Sequence, residues 1–320
     1  MAVYTHVEPG DLAALVSRYD IGTVVSCKGI AEGVENSNFL LETTGGRFIL
    51  TLYEKRVSEG DLPFFVDLLN HLAASGSPVP AMLRDREGVA IQRISGRAAC
   101  VIQFLPGISL TQPTPAQCEA AGAALGAMHR ALEGYTGARE NSMGHRHWRG
   151  VAEATGDLDQ VLPGLQAIVD TELAWLDANW PTDLPAHVIH ADLFPDNVLM
   201  LGDRVTGLID FYFAASDFRA YDLVITHASW AFSADGGHCD PARAQALMRG
   251  YASQVTLTAA EVAALPLLAR GASLRFLLTR AHDWVHTPAD ALVTRKDPSP
   301  FLARLQRYSA DDAASLFAVA

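Results

Sequence analysis

Alternating apolar and polar positions dominate the first hundred residues, and short runs of this kind bounded by Gly, Pro and Asp are typical of β-strands. The predicted strands cover residues 23–30, 38–43, 47–53 and 98–105. A turn at 44–46 joins the second and third of them, and residues 82–92 are predicted to form a hairpin that turns at 85–88. The pattern therefore predicts an antiparallel sheet at the start of the chain.

One helix is predicted within this strand-rich part, beginning at Ser58, which can cap it, and ending at Ala74. Its apolar positions fall near helical spacing at Leu62, Phe65, Val66, Leu69 and Leu72. A Pro-Gly pair at 106–107 then breaks the chain. We therefore predict two domains, residues 1–105 and residues 106–320.

The second domain is predicted to be mostly helical, which gives the chain an α+β architecture. Its clearest helix start is Thr114, a capping residue followed by Pro115 at the first helical position and by Gln117 three residues after the cap. Pro266 predicts a kink or a break in the longest helix. The predicted helices cover residues 115–132, part of 157–180, 222–232, 241–254, 259–286 and 300–307.

Composition narrows the class of protein. Apolar residues make up 49% of the 320 residues and charged residues 19%, which is typical of a soluble globular protein. The N-terminus lacks a signal-peptide pattern and no apolar run reaches membrane-spanning length, so we expect a cytoplasmic protein with no membrane partner. A net charge of −12 argues against nucleic acid as a partner.

The cysteines do not indicate a disulfide framework or a zinc site. Cys27, Cys100, Cys118 and Cys239 are far apart and form no C-x-x-C motif, as expected of free thiols in a reducing compartment. The closely spaced histidine pairs are two or three residues apart, which differs from the spacing of a helical zinc site. The sequence leaves the oligomeric state open.

The residues that carry chemistry are concentrated in one short segment. The chain reads His-Ala-Asp-Leu-Phe-Pro-Asp-Asn from His190 to Asn197, and a predicted hairpin over 198–209 leads to Asp210. Phosphoryl transfer from ATP needs a carboxylate that meets the attacking hydroxyl and oxygen ligands for Mg²⁺. Asp192 is the candidate catalytic base, and Asn197 and Asp210 are the candidate metal ligands.

An ordinary capped turn would explain part of this pattern. A single His-x-Asp sequence occurs often by chance, Asp192 and Asp196 are common turn residues, and Asn197 could bond its own backbone. The catalytic interpretation depends on the combination of this motif with an Asn in register, a hairpin and then Asp210.

With Ala191 between the His and the Asp, where most protein kinases have Arg, the motif resembles that of the aminoglycoside phosphotransferase and choline kinase superfamily. The resemblance covers nearly the whole chain. The segments that resemble its bacterial homoserine kinase branch are residues 35–39, 48–54, 61–65, 274–284 and 296–298.

This resemblance implies a two-lobed protein-kinase-like fold, with one main helix in the antiparallel-sheet N-terminal lobe and a mostly helical C-terminal lobe. It implies ATP and Mg²⁺ as cofactors and a small-molecule acceptor, L-homoserine, phosphorylated in threonine biosynthesis. Transfer is expected to be direct and in-line, because no nucleophile for a phosphoenzyme lies near Asp192 in the sequence. His190 and Asp222 are expected to support the catalytic loop.

Two segments are expected to bind the nucleotide. The first lies between the first two predicted strands and contains Gly33, Asn36, Ser37 and Asn38. Its backbone N–H groups could face phosphates, although it lacks a clean G-x-G-x-x-G pattern and could be a plain hairpin loop. In the second segment, the main chain near Gln103 and Leu105 could pair with the adenine edge.

One position departs from the kinase pattern. Thr51 stands in the third predicted strand where kinases place a phosphate-binding Lys, and the acidic helix partner of that Lys is either Asp67 or missing. Lys28, Lys55 or an Arg from the other lobe could replace the charge, or the loop N–H groups and Mg²⁺ could suffice. The Lys–Glu ion pair of kinases is therefore not transferred to this chain.

The acceptor needs a cation for its carboxylate, and an Arg fork suits a carboxylate well. Arg275, Arg280 and Trp284 lie on one predicted helix, and Tyr212 closely follows the candidate metal ligand Asp210. These residues are the candidate acceptor ligands. The alternative is a solvated or ion-paired helix face.

Other functions stay open on the sequence alone. Choline or ethanolamine would require an aromatic box, to which Trp230, Phe232 and Trp284 could contribute. An aminoglycoside would favour a strongly acidic acceptor surface, which the net charge permits. A non-catalytic nucleotide-binding module is the alternative from a different class.

Overall fold

A computed structural model describes residues 5–30, 36–54, 57–287 and 295–318. The described residues fall into two compact units, which meet in the sequence at Pro106 and Gly107. This division lies one residue after the predicted domain boundary. The residues up to Pro106 are called the first unit below, and those from Gly107 onward are called the second unit.

The first unit is built on a five-stranded antiparallel sheet with the strand order β1-β2-β3-β5-β4. The strands are β1 Val24–Gly29, β2 Asn36–Thr43, β3 Gly46–Tyr53, β4 Gln92–Ile94 and β5 Arg97–Gln103. Leu41, Leu50 and Val101 are fully buried in its core, because alternate residues of a strand face the same side of a sheet. The four strands predicted from the pattern are confirmed to within two residues at each end.

Two helices accompany this sheet. The predicted helix is present as α2, Leu62–Ala74, after a short 3₁₀ turn that Ser58 caps by accepting a hydrogen bond from the N–H of Gly60. The other, α1, spans Pro9–Val16 and was not predicted. Eight residues give barely two helical turns, which is too short for a 3.6-residue period to stand out.

The predicted hairpin over residues 82–92 is wrong, although its turn is present. Asp85 closes that turn itself, since its Oδ1 accepts hydrogen bonds from the N–H groups of Glu87 and Val89 and its Oδ2 accepts one from Gln92. Backbone hydrogen bonds close the turn as well, but Met82 and Leu83 pair with β5 and not with the strand that we expected. The hairpin forms one step later, where β4 pairs with β5.

The second unit is mostly helical and carries two small antiparallel sheets. The strand pairs are β6 Ala186–Ile189 with β9 Ala215–Phe218, and β7 Val198–Leu201 with β8 Arg204–Leu208. The helices are α3 Pro115–Ala131, α4 Trp148–Thr155, α5 Leu165–Asn179, α6 Arg219–Trp230, α7 Pro241–Ala252, α8 Ala259–His286 and α9 Ser299–Tyr308. The capping box predicted at Thr114 is confirmed. The short elements α4, β6 and β9 were not predicted.

The longest helix, α8, continues through Pro266, so the predicted break is absent. Within the part of the chain that the structure describes, α8 is also the one helix long and apolar enough, by length and composition alone, to cross a membrane. Of its most apolar stretch, 56% is buried inside the protein. A buried core helix passes the same test.

Candidate active site

The segment His190–Asn197, called the candidate catalytic loop below, connects β6 to β7 in the second unit. The pairing of β6 with β9 fixes its start, and the β7–β8 hairpin fixes its end. The predicted hairpin is therefore confirmed. The pairing of the two strands continues one residue beyond β7 and β8, because the N–H of Ile209 donates to the carbonyl oxygen of Asn197 at 3.0 Å. Asp210 is the next residue.

Asp222 holds the start of this loop from α6. Its carboxylate accepts hydrogen bonds from the backbone N–H of His190 at 2.7 Å, the N–H of Ala191 at 2.8 Å and Nε2 of His129 at 3.0 Å. Asp222 is fully buried, which acts to raise its pKa, but His129, His190 and the backbone donors outweigh burial and hold the pKa below its usual value. The expected supporting position of Asp222 agrees with these contacts.

The residue before Asp192 has an uncommon backbone conformation. Ala191 has φ of 63°, in the left-handed region that non-glycine residues rarely adopt, and it is completely buried. Nη1 of Arg275 donates to the carbonyl oxygen of Ala191 at 2.5 Å. The contacts from Asp222 and Arg275 together hold a conformation that the chain would otherwise disfavour.

His190 links this loop to the segment that carries Asp210. Its Nε2 donates to the carbonyl oxygen of Ile209 at 3.0 Å, so its Nδ1 is free to accept from the N–H of Asp192 at 3.3 Å. Burial lowers the pKa of His190, which keeps the ring neutral with the hydrogen on Nε2. The side chain joins the two backbone segments and does not itself face a substrate through either nitrogen.

Asn197 is oriented by Asp192. Its Nδ2 donates to the backbone oxygen of Asp192 at 2.8 Å and to Oδ2 of Asp192 at 3.2 Å. The amide oxygen of Asn197 therefore points the other way, as an oxygen ligand for a hard cation would need to. Asp210, with φ of 65° and ψ of 56°, follows directly after the residue that pairs with Asn197. This donor set of one amide oxygen and one carboxylate suits Mg²⁺.

The described residues contain no cluster of three or more His, Cys, Asp or Glu side chains that could hold a metal ion, either at this site or outside it. The four cysteines are free thiols.

The charge environment makes Asp192 an unusually basic carboxylate. Burial raises its pKa to about 8; Arg275 and Lys296 act against the shift, and the carboxylates of Asp210 and Asp196 add to it. A carboxylate with a raised pKa accepts a proton more readily near neutral pH. The arrangement can therefore orient a hydroxyl group and take its proton.

The expected phosphate-facing segment has a different local structure from the one we predicted. Asn36, Ser37 and Asn38 do not form a loop but begin β2, paired with Tyr53, Leu52 and Thr51 of β3. Their backbone groups take part in the sheet ladder, so a phosphate-binding role is left to side chains or to the preceding residues. Gly33 lies outside the described residues.

Thr51 does not offer a charge in place of the kinase lysine. It is 1% exposed, and its Oγ1 donates to Oδ1 of Asn38 at 2.7 Å. Asp67 is exposed on α2. Thr51 therefore cannot supply the cation of a Lys–Glu ion pair at this position.

The expected adenine-binding segment is only partly open. The N–H of Gln103 donates to the carbonyl oxygen of Ala81 at 2.9 Å, and its side-chain Oε1 accepts from the N–H of Ala81. The backbone N–H of Gln103 is thus already hydrogen-bonded to Ala81 and is not free to pair with an adenine. Leu105 lies after the end of β5 and is half-buried, so its main chain is the better candidate for the adenine edge.

The candidate acceptor residues differ in burial and in their contacts with the candidate catalytic loop. Arg275 is 2% exposed and bound to the loop carbonyl of Ala191, whereas Arg280 is half-buried and within range of the charge of Asp192. Tyr212 is half-buried in the turn after Asp210. Trp284 is 37% exposed, far along α8.

Two residues of this region were missed by the sequence reasoning. His129 on α3 binds the fully buried Asp222, and Arg304 on α9 is a nearly buried cation. Neither belongs to a motif, and the elements that carry them are distant in sequence from the candidate catalytic loop. An amphipathic pattern with a charge on its apolar face was the available signal for Arg304.

Comparison with known families places the chain among phosphotransferases. The model described as "Phosphotransferase enzyme family" matches residues 26–260. A homoserine kinase of Xanthobacter autotrophicus is 49% identical over 321 residues, which cover 100% of both chains. A homoserine kinase of Sinorhizobium fredii is 50% identical over 311 residues, which cover 97% of this chain and 95% of that protein.

Solved structures show the same fold at much lower identity. A microcompartment-associated aminopropanol kinase has a TM-score of 0.70 at 20% identity, covering 97% of this chain and 100% of that one. An amicoumacin kinase has a TM-score of 0.69 at 17% identity, covering 97% and 94%. At these identities the likeness concerns the fold alone, and it confirms the predicted kinase-like architecture.

Proposed function

The chain belongs to the phosphotransferase enzyme family, and we propose that it is a homoserine kinase, which transfers the γ-phosphoryl group of ATP to the hydroxyl group of L-homoserine. The observation that carries this assignment is an identity of 49% and 50% to homoserine kinases over nearly the whole length of both partners. The predicted enzyme class, an ATP-dependent O-phosphotransferase, is confirmed by the family. The reaction is a step of threonine biosynthesis.

In this proposal Asp192 orients the acceptor hydroxyl and accepts its proton as the O–P bond forms. Two features support the role. Burial raises the pKa of Asp192 to about 8, and Asn197 fixes the carboxylate by donating to its Oδ2. General-base assistance of this kind contributes about 10²–10⁴-fold to a rate. Positioning and charge neutralisation supply the larger part in phosphoryl transfer.

Asn197 and Asp210 are the proposed ligands of Mg²⁺. When bound there, the ion neutralises the charge on the transferring phosphate oxygens. The chain's own part is to present the two oxygens. The hydrogen bonds from Asn197 to Asp192 turn the amide oxygen outward, and the contact of Ile209 with Asn197 holds Asp210 in the adjacent position.

For the nucleotide, we assign the adenine contact to the main chain at Leu105. The side chains of Asn36, Ser37 and Asn38, with residues around Gly33, remain the proposed phosphate contacts. In Asn36, which is 3% exposed, only Nδ2 could donate to a phosphate, because Oδ1, which has no hydrogen-bond partner among the described residues, is an acceptor. The protein is expected to act in the cytoplasm on a small molecule, without nucleic acid or membrane as a partner.

The activity is tested by ADP release from the purified protein with ATP and Mg²⁺, using L-homoserine, choline, ethanolamine and kanamycin in parallel. We expect rapid ADP release with L-homoserine alone, and O-phospho-L-homoserine in the mass spectrum of the product. Faster turnover of one of the other compounds would identify that compound, and not L-homoserine, as the acceptor. ADP release with none of them would contradict the assignment.

A further inference from the structure

Three arginines of α8 and α9 have no carboxylate partner in the part of the chain that the structure describes. Across the described ranges of the chain, no acidic side chain lies within ion-pair distance of Arg275, Arg280 or Arg304. Arg307, only three residues after Arg304, shows the ordinary arrangement: both of its Nη atoms donate to Asp312. The three guanidinium groups, which have no ion-pair partner among the described residues, therefore differ from that of Arg307 on the same pair of helices.

Two of these groups share one aromatic ring. The Cζ atoms of Arg280 and Arg304 lie 4.5 Å and 4.6 Å from the centroid of Phe301. Phe301 stacks on Phe276 at 4.9 Å and lies 6.2 Å from Phe194, which belongs to the candidate catalytic loop. Both cations therefore contact the same ring, which lies near the loop.

Arg304 is the more buried of the two. It is 6% exposed, its Nη2 donates to the carbonyl oxygen of Ser233 at 3.2 Å, and its buried Nε has no partner. Burial lowers the pKa of Arg304 to about 10 and Arg280 acts in the same direction, whereas Tyr308 and Asp235 oppose the shift. A buried cation beside a like charge is costly unless an anion compensates it.

Arg280 connects this pair with the candidate base. Its Nη1 donates to the carbonyl oxygen of Asp297 at 3.0 Å, and burial lowers its pKa while the charge of Asp192 acts to raise it. Arg275 is different, because its Nη1 is bound to the carbonyl oxygen of Ala191. We therefore treat Arg275 as a positioning residue for the loop and not as an acceptor ligand.

We propose that Arg280 and Arg304 together bind the carboxylate of the amino-acid acceptor, an inference that rests on the proposed function. Three carbon atoms separate the carboxylate of homoserine from its hydroxyl group. Arg280 lies on Phe301, which is 6.2 Å from Phe194, two residues after Asp192, so a carboxylate anchored there would leave the hydroxyl group to reach toward this loop. A guanidinium fork recognises a carboxylate through paired N–H donors.

The test compares L-homoserine with 3-amino-1-propanol, which is homoserine without its carboxylate. The wild-type protein should prefer L-homoserine by about 100-fold or more in kcat/KM, as expected for a lost charge-assisted contact. In Arg280→Gln and in Arg304→Gln this preference should fall about tenfold or more, mainly through a raised KM for L-homoserine. The matched control, Arg307→Gln, lies on the same helix and should keep the wild-type preference.

Each result has a distinct meaning. If the wild-type protein phosphorylates L-homoserine and both variants keep the wild-type preference for L-homoserine over 3-amino-1-propanol, the proposed carboxylate site is wrong. The proposed homoserine kinase activity would still hold. If the wild-type protein does not use L-homoserine, the function itself fails. A raised KM for ATP with an unchanged preference would assign the arginines to the nucleotide and would overturn the proposal. Should Arg304→Gln unfold, Arg280→Gln decides alone, because Arg280 is only half-buried.

Discussion

Asp222 is the residue on which the backbone of the candidate catalytic loop depends. Asp222→Ala would leave two backbone N–H groups and His129 without their acceptor in a fully buried place. We expect a loss of about 3–5 kcal/mol in the free energy of unfolding, measured by urea denaturation. Asp203→Ala, in the exposed turn between β7 and β8, is the control and should change stability by less than about 0.5 kcal/mol.

A second outcome of this experiment is informative about the site. If Asp222→Ala were as stable as the control, the carboxylate would not be holding the loop, and the left-handed conformation of Ala191 would need another support. The expected loss would instead show that the buried carboxylate of Asp222 is needed, beside Arg275, to maintain the uncommon backbone before Asp192.

His227 gives a residue-scale prediction about pH. Its Nε2 donates to the carbonyl oxygen of Leu316 at 3.1 Å and its Nδ1 accepts from the hydroxyl of Tyr308 at 2.7 Å, which describes a neutral ring. Burial lowers the pKa of His227 to about 4, against the opposing effect of the Leu316 carbonyl. The unfolded chain, with a His pKa of about 6.5, binds the proton more readily.

The sign follows from this difference. The stability that neutral His227 contributes is present above about pH 6.5 and is lost as the pH falls toward 4, by up to about 3 kcal/mol. Urea unfolding between pH 7 and pH 4.5 measures it. His227→Gln keeps a donor for Leu316 and should show a flatter decline. Equal slopes for the wild type and the variant would exclude His227 as the cause.

At the scale of elements, α3 and α7 pack closely against each other. A Cβ atom on Gly122 would lie 2.1 Å from the carbonyl oxygen of Leu247, and one on Gly250 would lie 1.9 Å from that of Glu119. Both contacts are with backbone, which cannot give way without moving a helix. Glycine therefore sets the distance between these two helices, as small residues do at close helix crossings.

Gly122→Ala should destabilise the protein by about 1–3 kcal/mol because it overpacks this contact. Gly150→Ala is the matched control: Gly150 lies in α4 and a Cβ atom there meets nothing within 4 Å. Alanine favours a helix over glycine, so the control should be neutral or stabilised by up to about 1 kcal/mol. Thermal unfolding of both variants checks the pair. A loss of equal size in both would mean that helix packing is not the cause.

The same elements show how far the sequence could predict the fold. Long periodic helices such as α3 and α8 were located to within one residue, because many turns of apolar positions and capping residues agree. The short elements α1, α4, β6 and β9 gave too few periods to be recognised. The predicted hairpin over residues 82–92 is wrong because its first residues, Met82 and Leu83, pair with β5 instead, a tertiary contact that the local pattern does not indicate.

At the scale of the whole molecule, one part of the candidate site could be predicted from the sequence and another part could not. Its centre was predictable, since Asp192, Asn197 and Asp210 lie within one short segment whose spacing a hairpin fixes. The supporting residues His129 and Arg275 lie on helices far away in sequence, and only tertiary packing brings them to the loop and to Asp222, which holds it. A single sequence carries no record of such contacts.

Phosphoryl transfer is a property of the whole molecule. The variant Asp192→Asn tests most directly whether Asp192 is the base in this reaction. The whole chain would be assayed for ADP release with L-homoserine, beside Asp196→Asn, an exposed carboxylate of the same loop. We predict that Asp192→Asn lowers kcat by about 10²–10⁴-fold with the KM for ATP nearly unchanged, and that Asp196→Asn stays close to the wild type. A kcat near the wild-type value in Asp192→Asn would contradict the assignment of the base.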